Sequence, residues 1–267
     1  MSVILKTIGE FSCFEAEGIS VPHCFTTRKG GVSRDHLSSM NIGTSRGDSR
    51  ENVLKNYEIL GNDLGFDPHR AVLSRQVHSD IVRVAGPADA GAGLYGDHLQ
   101  DCDALVTNEK GLALVVFTAD CTPILFWDPE SGAVGAAHAG WRGTAKAIAA
   151  RTVETMAKHF GARPENIRAA IGPNIGKCHF ETGEDVPRAM KAAFGSEADP
   201  WIEAVGEKFH VDLKEINAMI LRNAGVEHIE ISDACTYCQP ELFWSHRICG
   251  QQRGSQGAVI VCGEACR

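Results

Sequence analysis

The run from Leu112 to Gly143, LALVVFTADCTPILFWDPESGAVGAAHAGWRG, constrains the fold of this chain more than any other stretch. It reads as a buried strand ending in Asp120-Cys121, a second strand, a turn, a third strand, and then His138. His138 opens the run His138-Ala139-Gly140-Trp141-Arg142-Gly143. Apolar segments therefore carry a thiol and an imidazole to strand ends, beside glycines that let backbone approach a ligand closely. Cys121 and His138 are two soft-metal ligands, or a thiol and its base. A third candidate lies upstream, His78 in Ser74-Arg75-Gln76-Val77-His78-Ser79-Asp80.

With 267 residues the chain can bury a large core, and 43% hydrophobic and 22% charged residues are globular values. The net charge of -8 and the lack of a basic run argue against a nucleic-acid partner, and an anionic substrate would need a local positive site. The apolar runs are too short to span a membrane, and the start MSVILKTIGEF does not read as a signal peptide. A cytoplasmic location is the expectation, with the ten cysteines reduced. Cys13, Cys24 and Cys262 lie in apolar contexts that suit small core residues.

One or two strands are expected within residues 3–26. A long irregular stretch follows, with Arg28 and Arg46 as candidates for an anion site. Ser49–Leu60 reads as a helix with Ser49 as its N-cap. Thr144–Phe160 is the clearest helix, with Ala145, Ile148, Ala149, Thr152, Val153, Met156 and Phe160 at helical spacing and Gly161 as its stop. Further helices are predicted over Glu184–Phe194 and Asp212–Ala224. With strands at 71–73, 81–84, 104–107, 167–171, 228–231 and 258–262 and no linker, the expectation is one mixed α/β domain over residues 1–267. No strand–GxGxxG–helix run marks a Rossmann unit.

Four constellations carry chemistry. His78, Cys121 and His138 match a catalytic zinc site of three ligands with one open position. Their spacing is not a compact metal signature, however, and leaves open a Cys–His nucleophile pair or a core cysteine with two hydrogen-bonded histidines. The 138–143 turn precedes the predicted 144–160 helix, so Gly140, Gly143 and Arg142 could receive an anion at the helix start. Cys235-Thr236-Tyr237-Cys238 is a lone CxxC; neither Cys249 nor Cys266 completes a zinc motif with it, and it reads as structural or incidental. Among Asp101, Asp103 and Asp120, only Asp120 abuts Cys121, where it could orient a histidine or handle protons.

The runs Gln76-Val77-His78, Asp103-Ala104-Leu105-Val106-Thr107, Thr118-Ala119-Asp120-Cys121-Thr122-Pro123, His138–Gly143 and Ile171–Cys178 resemble the laccase-domain, or YfiH, family. The resemblance spans about Pro22 to Ile260. It implies a single-domain α/β/β/α sandwich and a metal, usually zinc, on His78, Cys121 and His138. It also implies phosphorolysis of adenosine, inosine and methylthioadenosine, with adenosine deamination as a second activity. One region departs: the family pattern Phe-x-Ser-Tyr-Arg-Arg-(Asp/Glu)-Gly, then Thr-Gly-Arg-Gln, reads here Phe243-Trp244-Ser245-His246-Arg247-Ile248-Cys249-Gly250, then Arg253-Gly254-Ser255-Gln256.

The resulting expectation is a zinc enzyme that takes purine nucleosides and phosphate as partners, a monomer or homodimer, with Arg142, Arg46 and Arg28 as phosphate candidates. One rival is a zinc or thiolate amidase that trims a wrong amino acid from a muropeptide precursor. Another is a copper phenol oxidase; one Cys and two His suit copper, but multicopper chemistry needs paired histidines and no His-x-His occurs. A non-catalytic scaffold would not need the His78–Cys121–His138 set.

Overall fold

The computed structural model describes residues 2–8, 11–96 and 100–263. The strands β1 (Val3–Ile8), β2 (Phe11–Ala16) and β3 (His23–Thr26) lead to helix α1 (Arg50–Leu64). Next come β4 (Ala71–Leu73), β5 (Val82–Val84), β6 (Ala104–Thr107), β7 (Ala113–Thr118), β8 (Thr122–Trp127) and β9 (Val134–Ala139), then helices α2 (Trp141–Ala145) and α3 (Ile148–Phe160). β10 (Arg168–Ile171) and β11 (Glu181–Thr182) precede α4 (Asp185–Phe194), β12 (Ile202–Val205), β13 (Lys208–Val211) and α5 (Leu213–Asn223). β14 (His228–Ile231), α6 (His246–Cys249) and β15 (Gln256–Val261) close the described chain.

Two six-stranded sheets form, ordered β1-β2-β3-β15-β7-β4 and β14-β10-β8-β9-β6-β5. Strand alternation sorts their side chains into layers. Leu114 and Val116 of β7, with Ala258 and Ile260 of β15, face Leu105, Leu125, Val134 and Ala136 of the other sheet. The alternate residues Ala113, Val115, Val259 and Val261 face Val53, Tyr57, Leu60 and Leu64 of α1. On the opposite outer face, Val106, Ile124, Phe126 and Ala137 meet Ile148, Val153 and Met156 of α3 and Ile216 and Ile220 of α5. The result is the mixed α/β/β/α sandwich. β7, β8 and β9 are covered on both faces, which is why the 112–143 run reads as near-continuous apolar sequence.

Local signals work as physical chemistry predicts at several ends. Ser49 accepts the Asn52 N–H at the start of α1, and Gly65 ends that helix at φ 70°. Asp212 accepts from the Lys214 and Glu215 N–H groups at the start of α5.

Two expectations need correction. Residues 3–26 hold three strands rather than one or two. The predicted 144–160 helix begins at Trp141 and breaks at Ala147, which has φ 57°. The break lets α2 leave the end of β9 through Gly140 while α3 packs across the sheet. Both flanks stay buried, so apolar periodicity runs through the break unchanged. A small sheet, β11-β13-β12, was not anticipated; its strands are short and half-exposed. Among the described residues no helix is long and apolar enough to cross a membrane.

Candidate metal centre

Antiparallel pairing sets the first two donors. Cys121 lies in the tight turn between β7 and β8, next to Asp120 at φ 85°. His138 lies on β9 opposite Pro123 of β8, so the register of that hairpin brings the imidazole beside the thiol. His78 comes from the loop between β4 and β5 and has φ 59°, a backbone conformation held by its neighbours.

The ligand atoms of His78, Cys121 and His138 all lie within 4.8 Å of one another. His78 Nε2 is 3.9 Å from Cys121 Sγ, and the two imidazoles meet edge to face at 4.9 Å between centroids. Gly140 makes this convergence possible: a Cβ there would stand 2.8 Å from His78 Cδ2 and 3.2 Å from Cys121 Sγ.

Asp103, just before β6, holds the group together. Its Oδ1 lies 2.9 Å from His138 Nδ1 and accepts the His78 N–H at 3.0 Å. Its Oδ2 accepts the Val77 N–H, the Ser79 N–H and the Ser79 hydroxyl. Engaging Nδ1 of His138 leaves Nε2 for the site, the arrangement that fixes the tautomer of a metal-ligating histidine. The sequence offered this orienting role to Asp120, the acid that abuts Cys121, and not to Asp103. Instead, the Asp120 carboxylate accepts the Thr236 and Ser245 hydroxyls and the Arg247 N–H, and so pins the Cys121 turn to the 236–247 segment.

The electrostatics follow from this geometry. Burial opposes charge on Cys121, but the adjacent His138 charge and hydrogen bonds from both histidines outweigh it and lower the thiol to about 6. Burial likewise pulls His138 down, yet the Cys121 thiolate and the Asp103 carboxylate raise it to about 9. Burial would raise Asp103, and the His138 and Ser79 hydrogen bonds bring it to about 2. One soft sulfur, two imidazole nitrogens and an outer carboxylate are a donor set that suits zinc or copper.

A pocket of about 140 Å³ opens beside Cys121, lined by Trp141, Ile175, Phe180 and Leu213, with His246 and Arg247 on its rim. A second cavity of about 340 Å³ is lined by Gly43, Arg46, Arg75, Gln76, Phe117 and Ser255. Arg253, 8% exposed, lies against His246 of the first pocket, its Nε 3.4 Å from His246 Nδ1. Burial and then the charge of Arg46 lower Arg253 to about 10.

The other anion candidates stand elsewhere. Arg142 is exposed and stacks on the Trp141 ring at 4.0 Å. α2 covers only Trp141–Ala145, so the long helix whose dipole was to hold an anion at Gly140–Gly143 starts beyond Ala147. Gly143 serves packing, since a Cβ would stand 3.1 Å from Ser79 O. Arg28 donates to the carbonyls of Ser38 and Pro240 and lies over Trp244. Sequence reasoning named Asp103, Arg253 and Trp141 without these roles, and missed Phe180 in the pocket wall. The departure noted at 246–256 was the available signal for Arg253.

A family model described as multi-copper polyphenol oxidoreductase laccase matches residues 22–263. A purine nucleoside phosphorylase of Deinococcus radiodurans is 39% identical over 246 residues, covering 92% of this chain and 90% of the relative. The purine nucleoside phosphorylase YlmD of Geobacillus stearothermophilus is 37% identical over 241 residues, covering 88% and 87%. The crystal structure of the Bacillus licheniformis hypothetical protein YfiH superposes with a TM-score of 0.91 at 32% identity, over 97% of this chain and 99% of that one. With the family model matched over most of its length and relatives of this kind aligned nearly end to end, the chain belongs to the laccase-domain, or YfiH, family.

Proposed function

We propose that residues 1–267 act as one catalytic unit, a zinc-dependent purine nucleoside phosphorylase with adenosine, inosine and methylthioadenosine as substrates. The observation that carries this reading is the convergence of His78, Cys121 and His138, buttressed by Asp103, with Cys121 lining an apolar slot. The names of the relatives supply the substrate class. When bound, zinc would supply a Lewis acid able to polarise a substrate oxygen or activate water.

The protein's own groups divide the remaining work. Trp141 and Phe180 offer flat apolar faces for a purine. Arg46 lines the second cavity and its charge acts on buried Arg253 beside His246, so an anion held there would relieve that repulsion. This pair replaces Arg142 as the favoured phosphate site. Phosphorolysis then forms a bond from a phosphate oxygen to the anomeric carbon as the glycosidic C–N bond breaks. The purine leaves with the electron pair and takes up a proton. Alignment of phosphate, sugar and base is the main service the pocket provides.

The test is release of hypoxanthine from inosine by purified protein, with and without phosphate. Phosphate-dependent release that yields a sugar phosphate supports the reading; release indifferent to phosphate means hydrolysis. Ammonia release from adenosine without phosphate would establish deamination as the second activity.

A further inference from the structure

Among the described residues, one more cluster of soft donors lies outside the His78–Cys121–His138 group. Cys178 and His179 come from the loop between β10 and β11, and Cys235 and Cys238 from the loop between β14 and α6. All four donor atoms lie within 4.8 Å of one another. Cys178 Sγ is 3.7 Å from both Cys235 Sγ and Cys238 Sγ. His179 Nδ1 is 3.2 Å from Cys178 Sγ and 3.3 Å from Cys238 Sγ.

These spacings have a specific meaning. With bonds of about 2.3 Å to sulfur and 2.0–2.1 Å to nitrogen, a tetrahedral zinc ion separates its sulfurs by about 3.8 Å and a sulfur from a nitrogen by about 3.6 Å. The observed separations lie near those values and far from the ~2.05 Å of a disulfide. The surroundings suit such a centre as well. His179 stacks on Tyr237 at 4.0 Å with 17° between planes, which steadies its ring. The Gly176 N–H donates to Cys235 Sγ at 3.2 Å. Buried Lys214 donates to the carbonyls of Ser232 and Ala234, placing a positive charge under the loop that carries Cys235.

We propose that Cys178, His179, Cys235 and Cys238 form a second zinc site, structural rather than catalytic. Three thiols give up their protons to solvent as the ion binds, and four protein ligands leave it no open position. The ion staples the loop after β10 to the loop before α6, two segments that meet the first site at Asp120. The Ile175 N–H donates to the Asp120 carbonyl, and the Thr236 hydroxyl to its carboxylate. Phe180, next to His179, lines the apolar slot. The second ion is thus a positioning element for the pocket wall.

The test is differential alkylation of native, unreduced, zinc-loaded wild-type protein with N-ethylmaleimide, read by peptide mass mapping. Cys178, Cys238 and Cys249 are all exposed. Cys249 should react at once, whereas Cys178 and Cys238 should react only after a zinc chelator is added. Elemental analysis of Cys121→Ser protein should still find about one zinc per chain, and adding Cys235→Ser and Cys238→Ser should remove it. Reaction of Cys178 and Cys238 as fast as Cys249 before chelation would overturn the proposal. So would a disulfide joining Cys178 to Cys235 or Cys238 in freshly purified protein.

Discussion

Asp103 and His138 are joined twice: the His138 N–H donates to the Asp103 carbonyl at 2.7 Å, and His138 Nδ1 lies 2.9 Å from Asp103 Oδ1. The first bond belongs to the seam between β6 and β9; the second uses that seam to aim a ring. Replacing Asp103 with Asn keeps the shape and removes the charge. Zinc affinity at the first site should fall about 10–100-fold, measured by competition with a chromogenic chelator.

The same carboxylate sets an acid limit. Its folded value of about 2 lies below its ordinary 3.8, so its contribution to stability is present above 3.8 and lost as pH falls through about 2. A shift of this size corresponds to about 2 kcal/mol. Denaturant titrations of metal-free protein should therefore show a smaller loss of stability between pH 4 and 2 for Asp103→Asn than for wild type. Equal losses would place the acid-sensitive group elsewhere.

Gly140→Ala adds one methyl group that collides with His78 Cδ2 and crowds Cys121 Sγ. Thermal unfolding of the metal-free variant should change little, because His78 is exposed and its ring can swing away. Zinc content should drop toward that of Cys121→Ser, about one equivalent per chain below wild type. Full zinc retention would show that the ring is not held where the ligand set requires it.

In metal-free protein, Cys121 should alkylate as a thiolate down to about pH 6, and Asn at position 138 should move that midpoint upward by removing the largest stabilising charge. The sign is fixed: a lowered thiol is charged above its midpoint and protonated below it. A midpoint that stays put in the His138→Asn protein would contradict the thiolate–imidazolium pairing.

Arg46→Ala should raise the phosphate concentration needed for half-maximal inosine phosphorolysis at least tenfold, since a charge-assisted contact contributes roughly 1.5–3 kcal/mol. Arg142→Ala, whose guanidinium lies on Trp141, should change it less than threefold. The reverse ranking would return the phosphate site to Arg142.

Much of the sandwich was legible because central strands need apolar residues on both faces; β7, β8 and β9 could be read directly from 112–139, and with them Cys121 in the turn between β7 and β8 and His138 on β9. The helix break at Ala147 was not legible, since burial on both sides preserves the helical period. Asp103 looked like any acid before a strand; its role arises from pairing with residues 25 and 35 positions away, a separation that local sequence does not encode. The CxxC at 235 and 238 could not be assigned for the same reason, because its neighbours in space are Cys178 and His179. Buried Arg253 was hidden by the general expectation that arginine faces solvent.

The seam at Asp103 also has a consequence for the order of assembly. Cys121 and His138 can meet within one hairpin, whereas the His78 loop is held there by long-range bonds to Asp103 before β6 and, through Gln76, to Phe117 of β7. Hairpins close on local contacts, whereas such docking waits for distant segments to find one another. The three donors therefore converge only where these distant segments have docked. A metal held by all three donors would then report a finished sheet.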